Sequence, residues 1–260
     1  MNRQPNEKIA GIVAGVGPYA GLDMQRKVFD QTVAQGDADH ITVIGWYQSN
    51  AVPDRTQFLL GKSNVNPGHA LAIQVTALAE AGADAVAIPC NTAHAPPIFD
   101  TMRSDLQGQG CPVPVLHMIE EVAAYLSQPE TGIECVGVLS TTGTYDTRLY
   151  PNLLEPQGIQ VVVPSRDWQE AKVNPTIYDP HYGVKAVGTG TERARTDLRE
   201  TIVQLKAEGA QAVILGCTEL PLVFTETVIE GLPLIDPTLI LARALIREIS
   251  PEKLRPITVK

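Results

Sequence analysis

Two stretches of the chain, GADAVAIPCNT at Gly82–Thr92 and GAQAVILGCTE at Gly209–Glu219, share Gly, Ala, Val and Cys at an offset of 127 residues. Each is a short apolar run that ends in a cysteine and a polar turn. Two further pairs match in the same order: GIVAGVGPY (Gly11–Tyr19) with GVLSTTGTY (Gly137–Tyr145), and VPVLHM (Val113–Met118) with LPLIDP (Leu232–Pro237). Three matches in one order predict two similar structural units.

Short apolar runs alternate with amphipathic stretches along the whole chain. The apolar runs are nearly continuous, which is typical of strands buried on both faces of a parallel sheet. The predicted strands are Lys8–Ala14, Ile41–Gly45, Ala85–Pro89, Val113–His117, Val136–Ser140, Gln160–Pro164, Ala212–Gly216 and Pro233–Asp236. The predicted helices are Gly21–Ala34, Gly68–Ala81, Glu120–Leu126, Arg148–Glu155, Glu192–Glu208 and Thr238–Arg247. This alternation predicts an α/β fold of two similar three-layer α/β/α units with mainly parallel sheets, related by a pseudo-twofold axis.

Composition excludes several classes of protein. An apolar fraction of 44% and a charged fraction of 19% over 260 residues are typical of a folded globular chain. A net charge of −9 argues against a nucleic-acid partner, and an anionic ligand would need specific Arg or Lys side chains. No apolar stretch approaches the ~20 residues of a membrane span, and the N-terminal MNRQPNEK lacks the apolar core of a signal peptide. We therefore expect a cytoplasmic protein with no membrane contact.

The two cysteines of the repeat, Cys90 and Cys217, each follow a predicted buried strand. Ligands of open α/β sheets bind just outside the carboxyl ends of the strands, so the cysteines of two facing units would meet across one cleft. A thiolate on one side of a carbon can remove a proton while a thiol on the other side supplies one, which inverts a stereocentre without a cofactor. Three polar residues of the same turns are candidate donors to the substrate: Asn91, Thr92 and Thr218.

The alternative for any cysteine is an inert buried thiol, which is the commoner case. We interpret Cys111 and Cys135 in this way, since neither has a counterpart in the repeat. The chain contains four cysteines and no CxxC pair, so a disulfide framework is not expected.

Four motifs resemble those of the aspartate/glutamate racemase superfamily, and more closely its aspartate racemase branch. They are IPCNTAH (Ile88–His94), LGCTELPL (Leu215–Leu222), NAVPDRT (Asn50–Thr56) and HMIEE (His117–Glu121). The resemblance extends from Lys8 to about Ala244 and implies a PLP-independent racemase that interconverts L- and D-aspartate, with glutamate as a further candidate substrate. It implies that Cys90 and Cys217 are the acid/base pair and that no cofactor is needed.

The same resemblance implies further roles. Arg55 of the PDR segment and Lys185 of YGVKA would hold the side-chain carboxylate of a small acidic amino acid. The segment after about residue 223 would return to the first unit, which gives domains of 8–117 plus 223–260 and of 118–222. A homodimer is expected because the family is often dimeric.

Other candidate residues lie in two turns and one longer segment. The GVGPYAG loop at Gly15–Gly21 is a poor nucleotide fingerprint because Pro18 lacks a backbone N–H, so we expect Gly17 to border the active site instead. Its counterpart in the repeat offers Thr141 and Thr142 as binding residues. Tyr178–Gly190 is either a lid or an ordinary surface loop.

The histidines are not spaced as metal ligands, and no metal site is expected. We interpret His94 as a supporting residue or a helix cap.

The chain also departs from the family in ways that leave other functions open. Glutamate racemases carry His where Glu219 follows the second Cys-Thr, and Ala14 and Val16 depart from the family's glycine-rich loop. The alternatives are another superfamily activity, such as a hydantoin racemase, an isomerase or a decarboxylase, and a catalytically silent amino-acid-binding protein. Decarboxylation needs one proton donor only, so the presence of both cysteines argues against it.

Overall fold

The computed structural model describes residues 7–256, so the N-terminal residues 1–6, on which the signal-peptide expectation partly depends, lie outside it. The strands are β1 Ile9–Ile12, β2 Thr42–Gly45, β3 Ala85–Ala87, β4 Cys135–Ser140, β5 Gln160–Val162, β6 Ala212–Gly216, β7 Val228–Ile229 and β8 Leu232–Ile235. The helices are α1 Pro18–Asp30, α2 Arg55–Leu59, α3 Pro67–Glu80, α4 Pro96–Gly108, α5 Met118–Leu126, α6 Thr142–Asp146, α7 Leu149–Leu154, α8 Arg166–Trp168, α9 Asn174–Tyr178, α10 Val184–Val187, α11 Glu192–Ala207 and α12 Pro237–Ile249.

These strands form two sheets, and the first three strands of the second repeat the order of the first. The first has the order β2-β1-β3, all parallel, and the second has the order β5-β4-β6-β8-β7, parallel except for β7. In the first sheet Gly11 pairs with Val86, and Val86 bridges to Val115. The predicted α/β fold with mainly parallel sheets is confirmed.

The second sheet repeats this register with the residues that the sequence repeat matches. Gly137 pairs with Val213, and Val213 pairs with Leu234. A Cβ at Gly137 would lie 2.9 Å from a Leu205 methyl group and 3.4 Å from Ala210 Cβ. The glycine therefore allows the helix before β6 to pack closely on the sheet.

Two helices cross between the halves of the molecule. Helix α5 follows the first sheet but packs on α7 of the second half, whereas α12 follows the second sheet and packs on α1 of the first. The matched residues His117 and Asp236 cap these helices, each accepting from a backbone N–H of the first turn. This reciprocal exchange is the arrangement that a pseudo-twofold relation predicts.

The segment after residue 223 is shared between the halves. Its strand β8 extends the second sheet, and its helix α12 joins one apolar core with α1 and α5. The division into 8–117 plus 223–260 and 118–222 stays a prediction. Within the segment after residue 223, helix α12 packs on the first half, whereas strand β8 belongs to the second sheet.

The short helices α2, α6, α8, α9 and α10 were not predicted. Two further differences from the sequence predictions involve proline. The predicted strand Val113–His117 is reduced to the bridge at Val115, because Pro112 and Pro114 have no N–H to donate to a ladder. Helix α4 was not predicted; its two leading prolines occupy the first turn, where an N–H has no helical partner anyway. Within residues 7–256, no helix is long and apolar enough to cross a membrane.

Candidate active site

Cys90 and Cys217 line one cavity, at the carboxyl ends of β3 and β6. Their exposed fractions are 8% and 4%. The free space in the cavity is about 10 Å³, close to what one water molecule needs, so an amino acid can enter only if the cleft opens. The lining residues are Arg55, Thr56, Cys90, Asn91, Thr92, Thr141, Tyr178, Lys185, Cys217, Thr218 and Glu219.

Arg55 brings a positive charge to Cys90. Arg55 is the first residue of α2. Asp54 caps the N-terminus of this helix, where its side chain accepts a hydrogen bond from Gln57 N at 2.7 Å. Arg55 Nη2 donates to Val16 O at 2.7 Å, and its Nε is buried without a hydrogen-bond partner in the described part of the chain. Burial opposes the charge of the guanidinium, but attraction to Cys90 and then Asp54 raises the pKa of Arg55. Arg55 thus places a buried positive charge at the wall of the cavity that Cys90 lines.

His94 supports Cys90 from behind. Its Nδ1 lies 2.9 Å from Cys90 O, and its ring stacks on Phe99 with the centroids 5.2 Å apart. Burial, and then the charge of His117, lower the pKa of His94 to about 3, so the ring is neutral at pH 7. The histidine positions the backbone of Cys90 and does not line the cavity.

Cys217 faces a buried carboxylate. Its Sγ donates to Glu219 Oε2 at 3.1 Å, and Thr218 Oγ1 donates to the same oxygen at 3.3 Å. Burial and then the charge of Glu219 raise the pKa of the Cys217 thiol well above its usual range. Cys217 is therefore protonated at neutral pH.

Lys185 holds the other oxygen of Glu219. Lys185 lies on helix α10, and its Nζ donates to Glu219 Oε1. The same Nζ lies 6.0 Å from the centre of the Tyr178 ring. Burial opposes the charge of each partner, but their attraction raises the pKa of Lys185 and lowers that of Glu219. The two residues form a buried ion pair beside Cys217.

Hydroxyl and amide groups line the rest of the cavity. Thr92 Oγ1 lies 3.1 Å from Thr141 Oγ1 and 3.0 Å from Thr144 Oγ1. Asn91 Oδ1 accepts from the Tyr150 hydroxyl, while Asn91 Nδ2 is buried and finds no acceptor among residues 7–256. This amide N–H and the Arg55 Nε are unused buried donors on residues that line the cavity.

Most of the residues predicted for the site come together, although their roles stay predictions. Two of them do not line the cavity. Gly17 lies against Glu219, where a Cβ would come within 2.5 Å of Oε1, and Thr142 donates to Asn174 Oδ1 at 3.0 Å. Eight do line it: Arg55, Cys90, Asn91, Thr92, Thr141, Lys185, Cys217 and Thr218.

Three lining residues were not among the predicted site residues: Thr56, Tyr178 and Glu219. Tyr178 bonds Thr56 across the cavity, with 3.0 Å between the hydroxyl oxygens. Their signals lay in the motifs, since Thr56 ends the PDRT segment, Tyr178 is the first residue of the candidate lid, and Glu219 stands where glutamate racemases carry His. No group of three or more His, Cys, Asp or Glu in residues 7–256 could hold a metal ion.

The fold and the site define an α/β protein of two like units with a cysteine from each unit on one cavity. The model of the Asp/Glu/hydantoin racemase family matches residues 13–245, and the chain belongs to this family. It is thus a member of the amino-acid racemase superfamily.

Individual relatives extend this result. The aspartate racemase of Picrophilus torridus superposes with a TM-score of 0.77 at 29% identity, over 93% of this chain and 94% of that one. A Yersinia pestis structure described as a putative Asp/Glu racemase gives 0.72 at 26% identity, over 93% and 99% of the two chains.

The broad specificity amino-acid racemase RacX of Bacillus subtilis is 30% identical over 64% of this chain and 65% of its own length. A glutamate racemase of Listeria monocytogenes is 29% identical over 56% of this chain and 48% of its own length. The matches therefore span less than two thirds of these curated relatives.

Proposed function

We propose that the protein is a cofactor-independent racemase that interconverts L- and D-aspartate, with Cys90 and Cys217 as the two proton-transfer groups. The observation that carries this proposal is that the two cysteines of the repeat line the same cavity as two cationic side chains, Arg55 and Lys185. The likeness to the P. torridus aspartate racemase supports the choice of substrate.

The proton transfers use one thiolate and one thiol. In this scheme Cys90, on the same cavity as Arg55, acts as the thiolate and takes the proton from Cα on one face of the substrate, and the C–H electron pair stays on the substrate as an enolate. Cys217, which is a thiol beside Glu219, donates its proton to Cα from the other face. The product has the opposite configuration, and the two cysteines have exchanged protonation states.

The substrate carboxylates would be held by the donors at the cavity wall. Charge develops on the α-carboxylate oxygens as the proton leaves Cα, so donors there stabilise the transition state. Asn91 Nδ2 is buried without an acceptor and is suited to this task. Arg55 and Lys185 would hold the side-chain carboxylate, because a guanidinium can bind both of its oxygens.

The direct test is a racemisation assay with purified protein and no added pyridoxal phosphate. Single enantiomers of aspartate, glutamate, alanine and other amino acids are incubated in deuterated water. Circular dichroism follows the loss of optical activity, and NMR follows deuterium entering at Cα. Loss of optical activity with deuterium uptake in aspartate is the expected result. Tight aspartate binding without exchange would instead identify a binding protein.

A broader substrate range is the second candidate. The 30% identity to the B. subtilis broad specificity racemase favours it, and so does the pairing of Lys185 with Glu219, which leaves less positive charge for an acidic side chain. The same amino-acid panel separates the two, since a broad enzyme would turn over neutral amino acids at rates comparable to aspartate. The expected homodimer and the expected cytoplasmic location stay predictions. Light scattering would measure the mass of the protein in solution and so test the homodimer.

A further inference from the structure

A buried glutamate stands in a cleft proposed to bind a dicarboxylic amino acid. Glu219 is 3% exposed and lines the cavity between Lys185 and Cys217. Its two oxygens accept from the Lys185 ammonium, the Cys217 thiol and the Thr218 hydroxyl. A buried carboxylate is stable only when paired and hydrogen-bonded in this way.

The fold keeps a place free for this carboxylate. A Cβ at Gly17 would lie 2.5 Å from Glu219 Oε1, although the backbone at Gly17 is extended (φ −152°) and any residue could adopt it. A side chain at this position would therefore push the Glu219 carboxylate away from its present place, and glycine leaves room for it. The loop at Gly17 and the turn at Glu219 together define a carboxylate site whose cation is Lys185.

The charges of the closed cleft are already balanced. Arg55 and Lys185 supply two positive charges, Glu219 supplies one negative charge, and the thiolate that the proposed function requires at one cysteine supplies a second. An amino acid with a neutral side chain adds no net charge. Aspartate adds one negative charge, which in a buried site is costly unless a cation becomes free to pair with it.

We propose that Glu219 is the specificity-determining residue of the cleft: it competes with the substrate's side-chain carboxylate for Lys185. An acidic amino acid has to displace Glu219 from Lys185, whereas a neutral one binds with the pair intact. Glu219 thereby weakens the preference for dicarboxylic substrates and widens the range of amino acids accepted. This inference rests on the proposed use of Lys185 as a carboxylate-binding residue.

The test measures binding and needs no turnover. Calorimetry compares succinate, a dicarboxylate, with butyrate, a monocarboxylate, on the wild type and on Glu219→Gln. The amide removes the charge and keeps an acceptor for Cys217 and Thr218. Succinate is expected to bind the variant roughly tenfold more tightly, with butyrate unchanged. Glu170→Gln, at an exposed glutamate paired with Arg166, is the matched control and should change neither.

A double-mutant cycle assigns the effect to Lys185. In a Lys185→Met background, Glu219→Gln should no longer tighten succinate, because no cation is left to release. Glu219→Ala is the second variant should the amide prevent folding, and it should raise the ratio of succinate to butyrate affinity in the same direction. Succinate affinity that is unchanged or weaker in a folded Glu219 variant overturns the inference.

Turnover separates this inference from the proposed function. In the variant, the KM for aspartate should fall while the KM for alanine stays the same. If the wild type racemises no amino acid but the succinate result holds, the proposed function fails and the competition for Lys185 stands. If aspartate is racemised and the succinate affinity does not change in the Glu219 variants, the proposed function stands and the competition for Lys185 is refuted.

Discussion

The hydroxyl oxygens of Thr92 and Thr141 are 3.1 Å apart, and this buried contact joins the turn after β3 to the turn after β4. Thr92 also reaches Thr144 Oγ1 at 3.0 Å. The contact therefore connects the two sheets at the wall of the cavity that contains both cysteines.

Thr92→Val removes this connection. We expect the free energy of unfolding to fall by about 1 kcal/mol, because the hydrogen bonds of a buried hydroxyl are lost while Thr141 and Thr144 still bond each other. Urea denaturation measures the change, and Thr225→Val at an exposed turn is the control. A double-mutant cycle with Thr141→Val should show coupling, since neighbouring residues are not additive. Additive effects would mean that the contact contributes nothing.

Replacing either cysteine of the repeat should stop racemisation. Cys90→Ser and Cys217→Ser each remove one of the two proton-transfer groups, so we expect losses of roughly 10²–10⁴-fold or more. Exchange of the α-proton with solvent should survive with one enantiomer only, and opposite enantiomers should survive in the two variants. Deuterium NMR detects this pattern. Cys135→Ser is the control, because Cys135 is the first residue of strand β4 and the cavity lies beyond the last residue of that strand. Full turnover by either active-site variant would refute the two-base scheme.

Arg55→Ala should weaken the binding of aspartate far more than the binding of a neutral amino acid. A charged hydrogen bond is worth about 1.5–3 kcal/mol, so the KM for aspartate should rise by roughly tenfold or more. The KM for alanine, if alanine is a substrate, should change much less. Arg55→Lys keeps the charge but not the planar fork and should fall between the two. An unchanged aspartate KM would remove Arg55 from substrate binding.

The buried His94 should make the protein less stable in acid. Its folded pKa of about 3 lies below the unfolded value near 6.5, so the unfolded chain binds more protons between these values. Its contribution to stability is thus lost at about 1.4 kcal/mol per pH unit as the pH falls from about 6.5 toward 3.

Denaturation curves at several pH values, compared between the wild type and His94→Asn, measure this contribution. The variant should be less stable at pH 7, because His94 packs against Cys90 and Phe99, and should lose less stability on acidification. Val203→Ala, at an exposed position of α11 that carries no titratable group, should follow the wild-type slope. Parallel curves for the wild type and His94→Asn would contradict the prediction.

Much of the architecture was predictable because it depends on local pattern. Continuous β-branched runs predicted β1, β4 and β6 within a few residues, and the repeat predicted that matched residues share a register, as Gly11–Val86 and Gly137–Val213 do. Two errors involve proline, which weakened the predicted strand at Val113–His117 and started the unpredicted helix α4. Helices α2, α6 and α10 were also missed, because five or fewer residues are too few to show a helical period.

The sequence predicted the chemistry of the site but not the contacts between its side chains. The position of Cys90 and Cys217 in the repeat predicted a shared cleft, because carboxyl ends of parallel strands are where ligands bind. Nothing local predicts that Lys185 pairs with Glu219, since these residues are 34 positions apart and meet only when α10 folds over the end of β6. The same is true of Thr56 and Tyr178, which lie 122 positions apart.

The sequence by itself determined the two-unit α/β fold and the equivalence of Cys90 and Cys217, because residue type and spacing carry that information, and the family resemblance added the candidate cations Arg55 and Lys185. Only the tertiary structure decided the pairing of Lys185 with Glu219, the protonated state of Cys217 and the contact of Thr56 with Tyr178. Burial and through-space charge set these properties, and both depend on which distant segments come into contact.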